Sequence, residues 1–177
     1  MFRLLFALCL LPFSALAFAT PTIQSLLNDG NYIAPIKVMK SFESQYRQRT
    51  ICGFNVEVDN QSLVYTLSMV DLATDTRTYF HIRAADGKIL GQNLETIVAD
   101  KEEQVHAVKV LQKKRMTFSK VVKMARKNHA GFLVQADLDH DLSISYVELK
   151  LLNQDSKKST AAFDIENLRP LPLLKWN

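Results

Sequence analysis

The chain has 177 residues, with 22 Lys and Arg against 18 Asp and Glu, and 47% of it is hydrophobic. A net charge of +4 is too small to mark a nucleic-acid binder by itself, and five glycines and five prolines argue against long disordered tracts. Of the two cysteines, Cys9 falls inside an apolar leader, so Cys52 has no intrachain partner and stability must come from apolar burial rather than from a disulfide.

Arg3 precedes the apolar run from Leu4 to Leu11, and Pro12 and Ser14 lead to small residues at Ala15, Ala17 and Ala19. Charge, apolar core and A-x-A site in that order predict a signal peptide over 1–19, cut after Ala17 or Ala19. The run is shorter than the about 20 apolar residues of a membrane span. The mature protein is therefore expected to be periplasmic or secreted, with no transmembrane segment once the leader is removed.

Thr22 to Leu27 predicts a short helix stopped by Asn28, Asp29 and Gly30. Tyr32, Ile36, Met39, Phe42 and Tyr46 share one helical face, which predicts an amphipathic helix over 33–47. After Gly53 the period changes to two. Phe54, Val56 and Val58 alternate with polar residues, a turn follows at Asn60 to Ser62, and Leu63, Tyr65, Leu67 and Met69 repeat the alternation. A third strand carries Thr78, Phe80 and Ile82 on one side and Tyr79, His81 and Arg83 on the other, before the Asp86-Gly87 turn. The stretch 92–116 fits either a helix or a short strand. Phe118, Val121, Val122 and Ala125 then predict a helix over 117–128, and three strands follow, marked by Phe132, Val134 and Ala136, by Val147, Leu149 and Leu151, and by Ala161, Phe163 and Ile165.

This order predicts an α+β fold of two copies of a helix plus a three-stranded antiparallel sheet. The boundaries are 31–92 for module 1, 93–116 for a connector and 117–177 for module 2. The runs GFNVEVDNQSLVYTLSMVDLATDTRTYFHIRAADGKIL and GFLVQADLDHDLSISYVELKLLNQDSKKSTAAFDIENLRPL each resemble the PepSY domain, a helix plus antiparallel sheet found in propeptides of secreted metallopeptidases and in many exported bacterial proteins. The tyrosine-containing middle strand and the aspartate-centred turn with glycine at DGKIL carry that resemblance. It implies a protein partner, such as a secreted peptidase that the chain binds or inhibits, and no catalytic centre. Tyr79, His81 and Arg83 are the predicted partner-binding residues, on an outer strand face or at an open sheet edge.

A rival reading lies in the second half. Asp137, Asp139, Asp141, Ser143, Ser145 and Glu148 fall at positions 1, 3, 5, 7, 9 and 12 of an EF-hand loop, so the alternative function is calcium binding. Leu142 stands where the loop wants glycine, which favours an acidic hairpin turn and no cofactor. Lys109, Lys113, Lys114, Arg115, Lys120, Lys123, Arg126 and Lys127 lie in a segment without acidic residues. An anionic membrane surface is one use for it, and a solvated helix face is the simpler one. Cys52 with His81 or His129 lacks any nucleophile signature, and His106, His129 and His140 lack zinc spacing. The chain is accordingly expected not to be an enzyme.

Overall fold

The computed structural model describes residues 21–97 and 102–172; the predicted leader lies outside them. The elements are α1 (Ile23–Asn28), α2 (Pro35–Gln45), β1 (Thr50–Asp59), β2 (Ser62–Asp71), β3 (Thr76–Arg83), β4 (Ile89–Thr96), α3 (Glu102–Lys113), α4 (Phe118–Ala125), β5 (Phe132–Asp141), β6 (Ile144–Leu152), β7 (Lys158–Asp164) and β8 (Arg169–Leu171). Local chemistry sets the helix ends. Thr22 and Ser25 form a capping box on α1, with Thr22 Oγ1 accepting from Ser25 N at 3.1 Å, and Gly30 with φ +70° closes that segment. Pro35 occupies the first turn of α2, and Thr117 caps α4.

All eight strands join in one antiparallel sheet of order β4-β3-β2-β1-β5-β6-β7-β8. This overturns the expectation of two modules that each pair one helix with three strands. Two helices precede each run of four strands, and the runs fuse where β1 pairs with β5. The fourth strands escape sequence reading because β4 and β8 are edges. An edge strand needs no buried face, so ILGQNLET and RPL carry no two-residue apolar period. The fusion escapes it because β1 and β5 each alternate as half-buried strands whether or not they meet. Pairing them satisfies backbone groups that two separate sheets would leave open.

Cross-strand rows alternate between the two faces of the sheet. Phe80, Leu67, Phe54, Ala136, Leu149 and Ala161 form one row in register, all buried, facing the helices. Each large side chain here is worth about 1.5–3 kcal/mol of burial. Phe42 of α2 meets Phe80 edge-on at 5.1 Å, and the Tyr65 hydroxyl donates to the Ile33 carbonyl at 2.8 Å. Glu43 of α2 clips α4: Ser119 N and Oγ donate to its two oxygens at 2.8 and 2.6 Å. β1 and β5 stay paired only from Gly53 to Asn55, and alongside them α3 supplies Ala107, Val108 and Leu111 to the core. Among the described residues no helix is long and apolar enough to cross a membrane.

Candidate functional site

The opposite rows face away from α2, α3 and α4, and α1 sits beside their Asn55, Gln135 and Lys150. One runs Asn93, Tyr79, Ser68, Gly53, Asp137, Glu148 and Ala162, and the next runs His81, Thr66, Asn55, Gln135, Lys150 and Thr160. The period of two puts Tyr79, His81 and Arg83 together on this face of β3, as the alternation predicts, with His81 exposed and its neighbours half-buried. His81 Nδ1 lies 3.3 Å from Thr66 Oγ1, and Arg83 Nη1 reaches Asp86 Oδ2 at 3.1 Å.

The sequence reading passed over Arg77, which begins the same stripe. Its alternation with Tyr79, His81 and Arg83 was the available signal. Arg77 is only 5% exposed; Nη1 donates to the Tyr79 hydroxyl at 3.4 Å, while Nε and Nη2 are buried with no hydrogen-bond partner among the described residues. Those two nitrogens form the side edge of the guanidinium fork, the edge that takes a carboxylate with two parallel bonds.

At the middle of the face Gly53 makes room for its neighbours. A Cβ there would stand 2.6 Å from Ser68 Oγ and 2.8 Å from Asp137 Oδ1. Burial pushes the Asp137 carboxyl above the usual carboxylate range, against the bond from Gln135 Nε2 at 2.7 Å and the charge of Lys150. Cys52 is fully buried beside Ser68, with Sγ 3.3 Å from Ser68 Oγ. Burial raises its thiol pKa despite the nearby positive charge of Arg77. The thiol thus meets a serine and not a histidine, and a disulfide to another chain would require the strand to open.

The segment from Asp137 to Glu148 does not take the EF-hand loop form. Asp141 and Ile144 pair across a two-residue hairpin whose central residues Leu142 and Ser143 have φ of +47° and +65°, and Ser143 leads into strand β6 rather than a helix. Asp137, Asp139 and Glu148 point to the face away from α2, α3 and α4, whereas Ser145 is fully buried on the side of those helices, 2.8 Å from His140 Nδ1. Both Asp139 oxygens are engaged, one by His140 N at 2.8 Å and one by the Tyr146 hydroxyl at 3.0 Å. The six residues therefore do not converge on one ion. Among the described residues no three His, Cys, Asp or Glu side chains are grouped to hold a metal. His106 and His140 do meet, stacked at 3.8 Å, while His129 stands apart and exposed.

The basic stretch takes the solvated side of α3 and α4. Lys109, Lys113, Lys114, Arg115, Lys120, Lys123 and Lys127 are exposed, and Arg126 turns back to donate to the Gly131 carbonyl at 2.6 Å.

No protein-family model matches the chain, and no curated protein matches it. It is similar to a solved structure described as a "putative lipoprotein (CD1622)" from Clostridium difficile 630, at 19% identity and a TM-score of 0.45, covering 80% of this chain and 92% of that one.

Proposed function

We propose that this is an exported, non-enzymatic protein that binds a protein partner through the face of its sheet that points away from α2, α3 and α4. The observation that supports this reading most is the stripe Arg77, Tyr79, His81 and Arg83 on β3, with the guanidinium fork of Arg77 unfilled. Tyrosine and arginine dominate binding hot spots because they bring large, stiff contact areas with polar tips. A buried guanidinium edge without an acceptor gains more from a partner carboxylate than an exposed one does. Export rests on the leader-like sequence at 1–19. The resemblance to PepSY domains suggests a secreted peptidase as the partner, restrained rather than cleaved.

Crosslinking in the native extracytoplasmic fraction tests the reading. Wild-type protein is expected to capture a defined partner that a Tyr79→Ser, His81→Ala double variant loses. Capture unaffected by both changes would refute the assignment to this face. Adding the purified protein to a secreted metallopeptidase tests the finer reading: lowered peptidase activity supports it, and unchanged activity at saturating protein removes that partner class.

A further inference from the structure

We infer that the cavity between α1 and the β5–β6 ladder binds the carboxy-terminal residue of an apolar peptide. The cavity holds about 300 Å³ and is walled by Val56, Val134 and Leu152 together with Ile23 of α1. Lys150 and Lys158 line it, no carboxylate does, and neither lysine is in an ion pair among the described residues. The volume lies at the small end of ligand sites, the space of one or two residues.

Gln24 supplies the specific element. Its Nε2 donates to Asn28 Oδ1 at 3.3 Å, and its Oε1 is buried with no hydrogen-bond partner among the described residues. It lines this cavity and, with Leu152, also a neighbouring one of about 590 Å³, into which further ligand can extend. A buried amide oxygen without a donor bears its full desolvation cost until an incoming N–H fills it. The two ammonium groups, neither in an ion pair among the described residues, ask for an anion, and the four aliphatic residues ask for an apolar side chain. One chemical group offers all three in compact form: a terminal residue with its amide N–H, its side chain and its carboxylate.

The site is distinct from the β3 stripe. His81 and Lys150 share a cross-strand row but are separated by four strand spacings, on the order of 19 Å. It therefore stands or falls independently of the proposed partner face. A fatty acid offers the same carboxylate and apolar chain but no N–H, which lets experiment separate the two sources.

The test titrates the isotope-labelled mature chain with N-acetyl-Val-Leu, with its C-terminal amide and with octanoate, following backbone and Gln24 side-chain resonances. The free acid is expected to shift Gln24, Lys150 and Lys158. The amide is expected to bind about tenfold more weakly, the loss of one charge-assisted hydrogen bond. Lys158→Gln, a change at an exposed position, is expected to weaken the acid several-fold while leaving the far-ultraviolet dichroism and the amide's affinity unchanged. Absence of shifts at about 5 mM free acid, equal binding of acid and amide, or octanoate binding as tightly as the dipeptide overturns the inference.

Discussion

Gly53 on β1 and Asp137 on β5 stand directly opposite each other at the seam that joins the two four-stranded runs, and the missing side chain of one makes room for the carboxylate of the other. Gly53→Ala forces Ser68 and Asp137 aside, so we expect a loss of about 1–3 kcal/mol in chemical denaturation. In an Asp137→Ala background the loss should shrink, because half of the clash has gone. Equal losses in the two backgrounds would show that the strain lies elsewhere.

Asp137 also sets a pH dependence. Its folded-state pKa is raised by burial, so the folded protein holds the proton more tightly than the unfolded chain does. Stability from this group is therefore present at low pH and declines as pH rises above the ordinary value of 3.8 toward the raised one. Asp137→Asn is expected to be more stable than wild type at neutral pH, with a flatter stability profile above about pH 4. Denaturation midpoints across that range check the sign.

Asp164 behaves oppositely. Its side chain is 1% exposed, and burial alone would raise its pKa. Bonds from Asn167 Nδ2 at 2.8 Å, Asn167 N at 2.9 Å and Glu166 N at 2.8 Å, with Arg169 beside them, outweigh that and lower it. The charged form organises the turn from β7 to β8. Its contribution is present above the ordinary 3.8 and is lost on acidification through the lowered value. Asp164→Ala should cost about 2–4 kcal/mol near neutral pH and less in strong acid, measured as the shift in denaturation midpoint at each pH.

Leu142 is 78% exposed and holds φ +47° in the hairpin between β5 and β6. A left-handed backbone disfavours a side chain with a Cβ, and the paired hairpin turn prefers Asn-Gly or Gly-containing sequences. Leu142→Asn is expected to stabilise the protein by about 0.5–1 kcal/mol, and thermal melting reads it directly. A fall in melting temperature would contradict that turn geometry.

The thiol of Cys52 is fully buried with its pKa raised, so the neutral, unreactive form prevails. Thiol-reactive dye should label the folded protein orders of magnitude more slowly than the denatured chain, with a rate that follows global unfolding as denaturant is added. Fast labelling in native buffer would show that β1 opens locally.

The sequence alone determined which side chains share a face along β1, β2, β3, β6 and β7, whereas the bulge between Leu133 and Gln135 breaks the predicted Phe132, Val134 and Ala136 face of β5. The period of two at Phe54, Val56 and Val58 and at Tyr79, His81 and Arg83 is a property of the backbone pleat, so it is written in local order. The helix faces were legible for a parallel reason, the 3.6-residue period of the helix. Tertiary structure alone decided that β1 and β5 pair, that ILGQNLET closes one edge as β4, and that Gln24, Lys150 and Lys158 line one cavity. Pairing between distant strands depends on which backbone edges meet in space. No periodicity along the chain encodes that meeting, so a glycine that makes room for its partner's carboxylate looks, in sequence, like any other glycine.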